Sequence, residues 1–340
     1  MAAATAVFNL AALLASDSGM PDLARTWCHR LATAALDHGS DPQHALEPIV
    51  NLARLHIRAG DGPTAWTLLE TLFHAIDTRT DTVIDGLTIP AARLTDAPGA
   101  HTKTRTWLWT ILLGTGAHAL ATADRWDEAS HRLNQYNGIG ARMLDGRQIT
   151  VIAHATAGRQ HQARAMLDAT QPGEPWEDAV TACLRLLTAG PDLRDEHASK
   201  ALIAYRALGP AKPGFTVFQT RLGLTLLDAL GKDHPAAEQI AVELIQHAAG
   251  DGYAARDLLT HATCLAAAGR RPANQLTALV SACGLDTGTL PAAHLETLLH
   301  ALNIAESVIA RPRVRSTSRR VTPGSTDPAT PRRRAAGRLR

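Results

Sequence analysis

The stretch Leu120-Ala-Thr-Ala-Asp-Arg-Trp-Asp-Glu-Ala-Ser-His-Arg-Leu133 contains the pattern that decides the fold. An apolar helical run ends near Asp124, the chain turns, and a second helix begins with Ala129 and Leu133 on one face. A second copy, over residues 157–167, repeats this order with glycine at the turn. Two helices joined by a tight turn, with alanine at the contact, indicate a stacked helix pair.

The underlying unit, Gly-x4-Ala-x3-apolar, occurs five times along the chain. Its glycine can adopt the left-handed conformation that ends a helix. Alanine then lets the next helix approach closely, and the apolar residue four positions later shares its face. The copies are Gly19/Ala24/Cys28, Gly60/Ala65/Leu69, Asp124/Ala129/Leu133 (aspartate replacing glycine), Gly158/Ala163/Leu167 and Gly231/Ala236/Ile240. The alanines lie 41 residues apart from position 24 to 65 and 34 apart from 129 to 163, which is typical of helical solenoids.

These residues carry a resemblance to a known repeat family. Trp126 lies between Asp124 and Ala129, where tetratricopeptide repeats usually have Gly, an aromatic residue and Ala in that order. The chain from Ala6 to Ala310 therefore resembles a divergent tetratricopeptide-type array, although most copies lack the aromatic residue and a related helical-repeat class also fits. The resemblance implies a right-handed α-solenoid of stacked helix pairs that binds peptides or proteins, with no specific ligand residues carried over.

The composition favours an all-α protein. Of the 340 residues 45% are hydrophobic but only 4% are aromatic, so the core has to be built mainly from alanine and leucine. Such residues suit closely packed helices, and the scarcity of β-branched runs argues against a large sheet. We predict a helical body over residues 1–310, followed by a separate tail over 311–340. Within the body, we predict continuous helices over residues 105–123 and 253–268 and a final helix over 291–309 that covers the end of the array.

Several features indicate a cytoplasmic protein. Residues 1–15 are apolar without a basic start, which predicts a first helix and not a signal peptide. No run approaches the roughly 18 apolar residues that span a bilayer. The cysteines form no CxxC pair and each lies in an apolar stretch, so we expect buried small side chains in a reducing compartment. They are Cys28, Cys183, Cys264 and Cys283.

An insertion over residues 77–104 interrupts the helical pattern. Within it, residues 82–90 alternate around Asp85-Gly86, a dipeptide typical of two-residue hairpin turns. We predict a small β-hairpin here. Inserted loops often lie on a functional face. A purely structural role for this insertion is an equally good interpretation.

The tail over residues 311–340 has ten arginines and one acid, a surplus of 10 − 1 = +9, which leaves the body at +2 − 9 = −7. Its few large apolar residues cannot offset the entropy of ordering, so we expect disorder. The tail could be inert, fold back onto the acidic body, bind an acidic partner, or contact nucleic-acid phosphates. Candidate contact residues are Arg313, Arg315, Arg319, Arg320, Arg332, Arg333 and Arg334.

A catalytic motif is missing from the sequence. It contains no HExxH, GxSxG, P-loop or strand-linked GxGxxG, and its sixteen histidines are scattered. We therefore expect a protein that is not an enzyme and that uses no catalytic residues, cofactor or metal.

Seven residues are candidates for partner binding. The loop from Tyr136 to Gln148 combines flexible glycines with two arginines that could pair an acidic or phosphate group, although a long inter-repeat turn with solvated arginines is the interpretation we favour. Tryptophans near the insertion would make binding hot spots on a groove, or pack between repeats. The candidates are Trp107, Trp109, Tyr136, Asn137, Arg142, Arg147 and Arg256.

These observations lead to one functional hypothesis and two alternatives. The leading hypothesis is a scaffold or regulatory adaptor that binds a protein or peptide in a solenoid groove. The first alternative is a regulator that contacts nucleic acid through its arginine-rich tail. The second is an accessory protein that presents a peptide substrate to a modifying enzyme.

Overall fold

The computed structural model describes residues 2–38, 41–268 and 270–310. This part of the chain is mostly helical, with a two-stranded antiparallel sheet, so the all-α prediction with a small hairpin is confirmed. The predictions for the tail over 311–340 fall outside the described residues.

The helices follow one another with short connections. In order they are α1 (Ala2–Asp17), α2 (Pro21–Asp37), α3 (Pro42–Arg58), α4 (Gly62–Thr78), α5 (Ala91–Leu94), α6 (Ala100–Ile111), α7 (Ala117–Thr122), α8 (Trp126–Gln135), α9 (Asp145–Thr156), α10 (Gln160–Asp168), α11 (Pro175–Leu187), α12 (Arg194–Ala207), α13 (Thr216–Leu230), α14 (Ala237–Ala248), α15 (Gly252–Leu259), α16 (Ala262–Ala268), α17 (Arg270–Ala282) and α18 (Ala292–Ile309). Strands β1 (Thr82–Ile84) and β2 (Leu87–Ile89) lie between α4 and α5.

The five repeated units form as predicted at their turns. The first residue of every unit has a positive φ, including Asp124 at 59° in place of glycine. Four of the five key alanines are fully buried at 0% exposure. The exception is Ala236, which is half-buried while its neighbour Ala237 is buried. Each turn therefore places a small side chain where the next helix packs.

Aspartates define the start of several helices. Asp41 accepts from the Gln43 amide at the start of α3, and Asp61 accepts from the Thr64 amide at the start of α4. Asp251 accepts from the amides of Tyr253 and Ala254 at the start of α15. Each carboxylate satisfies amides that have no partner inside the helix, so these polar residues fix where helices begin.

The predicted hairpin is present at residues 82–89. Ile84 pairs with Leu87, and the two turn residues Asp85 and Gly86 have φ values of 51° and 77°, as a type I′ turn requires. Ile84 is buried in the core, and the Asp85 carboxylate binds Arg25 and His29 of α2. The hairpin is thereby docked on the helical body.

Two predicted helices are interrupted in the structure. The helix expected over 105–123 contains a π-helical turn at Leu112–Gly116. The helix expected over 253–268 breaks between α15 and α16, where His261 hydrogen-bonds the Asp228 carboxylate of α13 across 2.9 Å. Contacts with distant helices lie at both breaks, since the π-helical turn packs on α4 and α9 and His261 reaches α13, and local periodicity does not contain such contacts.

The first and last helices of the described chain pack together. Helix α1 contacts α18, and the backbone amides of Asp286 and Gly288 donate to the carbonyls of Asp17 and Ser18 over 2.8 and 2.7 Å. Each helix also packs on its neighbour in sequence along most of the chain. The helix predicted to cover one end of the array therefore joins its two ends.

The buried apolar residues form two clusters. One contains buried residues of α1–α9 together with Leu302, Ala305 and Ile309 of α18, and the other runs from Met143 to Leu276. Of the helices in the described residues, none combines the length and apolar character needed to cross a membrane.

Candidate ligand-binding cavity

The main cavity lies between helices from distant parts of the described chain. It has a volume of about 810 Å³ and is lined by residues of α3, the π-helical turn with α7, the start of α8, α9, α13 and α15. The π-helical turn exposes Gly114 and Thr115 to this space, in keeping with the frequent occurrence of such turns at functional sites. Its size is within the range of ligand-binding cavities.

Two smaller recesses continue the main cavity. The N-terminal recess, about 230 Å³ between α1, α2 and α3, shares Arg54 and Arg58 with it. The α11–α13 recess, about 400 Å³ between α9, α11 and α13, shares Gln148, Ile152 and Arg221. Shared side chains make the three spaces one continuous surface.

Four arginines line the main cavity, at positions 54, 58, 221 and 256. Arg58 pairs with Asp17 at 2.8 Å, Arg221 with Asp257 at 2.6 Å and Arg256 with Asp286 at 3.0 Å. None of these three carboxylates lines the main cavity itself. They hold the guanidinium groups from outside it.

Arg54 differs from the other three arginines. It donates to the Asn51 side-chain oxygen over 2.7 Å, and within the described residues it has no carboxylate partner. Arg54 is exposed on the fourth turn of α3, one turn before Arg58. It is therefore the cation in this cavity that is most available to a ligand.

Protein around the cavity changes the acidity of two lining side chains. The pKa of His118 is lowered because neighbouring protein desolvates its charged form and because Arg221 is close, while Asp145 opposes this shift. Burial raises the pKa of Tyr253 to about 12, helped by a hydrogen bond to Asp17 and by the charge of that carboxylate. At neutral pH both side chains are therefore uncharged hydrogen-bonding groups.

Of the predicted partner-binding residues, Arg256 lines the main cavity. Trp107, Trp109 and Tyr136 are half-buried against the core, and the Trp109 Nε1 donates to the Tyr136 carbonyl over 2.9 Å. The Tyr136 hydroxyl donates to Glu70, and burial with this contact raises its pKa well above the usual range. The Tyr136 ring packs against Trp66 and Phe73 of α4, so it serves the contact between α4 and the end of α8.

The remaining loop candidates are engaged inside the protein. Arg142 binds both carboxylate oxygens of Glu177, whose side chain is only 1% exposed. Arg147 is buried and donates to Thr170 and to the carbonyls of Gly140 and Met166. Asn137 has a φ of 54° in the turn after α8. The two arginines thus hold the loop together through these contacts.

Sequence reasoning missed most of the cavity. Arg54, Arg58, His118, Arg221 and Tyr253 come from distant parts of the chain, and no motif connects them. One signal was present, because Arg54 and Arg58 are four residues apart and share a face of α3.

The cysteines differ from one another in burial. Three of them, Cys28, Cys183 and Cys264, are buried as predicted, whereas Cys283 is exposed beyond the last turn of α17, so burial was wrong for this residue. Burial raises the pKa of the Cys28 and Cys183 thiols to about 12. Among the described residues, no group of three or more His, Cys, Asp or Glu side chains is placed so that it could hold a metal ion.

Comparison of the chain with protein families, curated proteins and solved structures finds no match in any of the three.

Proposed function

We propose that this protein is a binding scaffold or adaptor that holds a segment of another protein, or a peptide, in the main cavity. The helix pairs would then form a right-handed, tetratricopeptide-like α-solenoid whose alternate helices supply the binding surface. The observation that carries the proposal is the continuity of the main cavity with its two recesses through shared side chains. A surface of that extent suits an elongated ligand.

Site-specific photocrosslinking in native lysate tests this proposal. A photoreactive phenylalanine analogue replaces Gln148, which lines both the main cavity and the α11–α13 recess. The control places it at Ile203 on α12, where the side chain is 70% exposed and lines neither space. We expect discrete protein or peptide adducts at position 148 that are missing at position 203.

Adducts restricted to nucleic acid, or the same adducts at both positions, would contradict the proposal. The two alternative hypotheses, binding of nucleic acid and presentation of a peptide to an enzyme, remain predictions. Contact with nucleic acid depends on arginines outside the described residues, and presentation of a peptide to a modifying enzyme would use the same cavity. Identification of the adducts by mass spectrometry separates them, since an enzyme substrate would be captured together with its modified form.

A further inference from the structure

We propose that the ligand of the main cavity is an extended peptide segment whose acidic residues are flanked on both sides by large apolar residues. This inference rests on the proposed function, because it names the chemistry of the segment that the cavity binds. It follows from the order in which arginines and apolar side chains occur along the continuous surface.

The arginines define the acidic centre of the ligand. In each of their ion pairs, Arg58 and Arg256 use Nη1 and Arg221 uses Nε. A guanidinium carries five N–H donors, so these contacts leave donors free on every arginine. Arg54 adds a cation with no carboxylate partner among the described residues. The main cavity therefore offers four sets of donors to carboxylates.

One carboxylate lines the main cavity in the described chain, that of Asp145. Asp145 lies on the first turn of α9. Among the described residues, its carboxylate has no ion-pair partner. Carboxylates outside the cavity balance the charges of Arg58, Arg221 and Arg256. The preference for an acidic ligand over a basic one therefore comes from the unused N–H donors of these guanidinium groups and from the unpaired cation of Arg54. In the N-terminal recess, Glu47 is the lining carboxylate, and it would repel additional acidic residues at that end.

Apolar side chains lie on both sides of these arginines. In the N-terminal recess, next to Arg54, Leu10 and Leu13 of α1 are 64% and 45% exposed. In the α11–α13 recess, next to Arg221, the lining includes Val180 and Phe218. Exposed leucines beside charged groups gain free energy when a ligand covers them. An apolar residue of the ligand therefore fits each recess.

A compact anion such as phosphate fits this surface poorly. It would occupy one or two guanidinium groups and leave both apolar recesses open to water. A segment with backbone in the main cavity and side chains in both recesses covers the entire surface. The order apolar, acidic, apolar distinguishes such a segment from a uniformly acidic chain, which would place charges against Leu10 and Leu13.

Selection from a random twelve-residue peptide library on phage tests the inference with the complete 340-residue chain. The wild-type protein is panned beside R54Q/R221Q, so that attraction of acidic peptides to the arginine-rich tail is the same for both. We expect peptides enriched only on the wild type, with Asp or Glu between Leu, Ile, Phe or Val residues. Fluorescence anisotropy then measures the affinity of one enriched peptide for single variants.

Single variants of the protein test which of its side chains contact the acidic part and which contact the apolar parts of the peptide. R54Q should weaken binding about tenfold, as expected for loss of a charge-assisted hydrogen bond, and it leaves no carboxylate without its partner. L10S should weaken binding about fivefold through lost apolar contact. The matched controls are R159Q, whose arginine pairs with Asp127 outside the cavity, and I203S on the exposed face of α12, and both should bind within about twofold of wild type.

The possible results separate the inference from the proposed function. Enriched peptides that bind in the cavity but lack acidic residues would overturn the inference and leave the proposed function standing. A library that yields no peptide dependent on Arg54 and Arg221, and no crosslink at position 148, would overturn both. Peptides that bind R159Q as weakly as R54Q would show a general charge effect and overturn the assignment to the cavity.

Discussion

Among individual residues, His118 and Arg221 show how the cavity combines charge with partial desolvation. His118 is exposed toward the main cavity, but neighbouring protein desolvates its charged form and the nearby guanidinium disfavours a second positive charge. Both effects favour the neutral ring. A neutral His118 keeps the cavity's positive charge on its arginines, where it is fixed by ion pairs.

The lowered pKa of His118 predicts how stability depends on pH. Its folded-state pKa lies below the ordinary value of 6.5, so between these values the unfolded chain binds the proton more readily. The stabilising contribution is therefore present above pH 6.5 and is lost as pH falls through the folded-state pKa. We expect H118Q to lose less free energy of unfolding than the wild type between pH 7.5 and 5.

Urea denaturation at a series of pH values measures this difference. Replacement of Arg221 by glutamine should raise the pKa of His118 toward its ordinary value, because the second cause of the shift is removed. Nuclear magnetic resonance titration of the imidazole provides an independent measurement. A wild-type His118 that titrates at or above 6.5 would contradict the explanation.

Between helices, close approach depends on particular glycines. A Cβ added at Gly62, in the first turn of α4, would lie 2.0 Å from the backbone carbonyl oxygen of Ala119 in α7. Backbone cannot move aside as a flexible side chain can. We expect G62A to lower the free energy of unfolding by about 3 kcal/mol, at the upper end of overpacking costs.

The control for this prediction is G250A. Gly250 has no atom within 4 Å of an added Cβ and no positive φ, so the free energy of unfolding should change by less than about 1 kcal/mol. Thermal and urea denaturation of both variants make the comparison. Equal stability of G62A and the wild type would mean that α4 and α7 are further apart than described.

Local helical structure was largely predictable from the sequence. Left-handed turn residues, including Asp124, and the hairpin turn at Asp85-Gly86 depend on neighbours in sequence, so the unit pattern was sufficient to predict them. The π-helical turn and the break before α16 lie at contacts with helices that are distant in sequence. Arg147 illustrates the same limit in the candidate site, because its three oxygen partners decide that it is buried, and none is adjacent to it in sequence.

On the scale of the whole molecule, the contact between the chain's two ends explains why the cavity was not predictable. Arg58 and Arg256 are almost two hundred residues apart, yet both line the main cavity and the space beside Gly19. Their ion-pair partners, Asp17 and Asp286, belong to the segments joined by backbone hydrogen bonds. The same arginines thus take part in the end-to-end contact and in the ligand surface.

Asp17 is the residue on which this end-to-end contact most depends. Its side chain is only 9% exposed and accepts from Arg58 and from the Tyr253 hydroxyl, so it connects α1, α3 and α15. The D17N substitution keeps the shape of the side chain but removes its negative charge. Because a partly buried ion pair loses one partner, while Arg58 can still reach water, we expect the free energy of unfolding to fall by about 2 kcal/mol.

Hydrogen–deuterium exchange locates the effect. Exchange in D17N should rise in α1, in residues 284–290 and in α18, while α9–α11 keep wild-type protection, because the loss acts on the contact between the ends. D127N is the matched control, since Asp127 also pairs with an arginine but is 63% exposed, and it should change stability by less than about 1 kcal/mol. Uniformly faster exchange in D17N would show that the array unfolds as one unit, whereas unchanged exchange in α1 and α18 would mean that apolar packing alone joins the two ends.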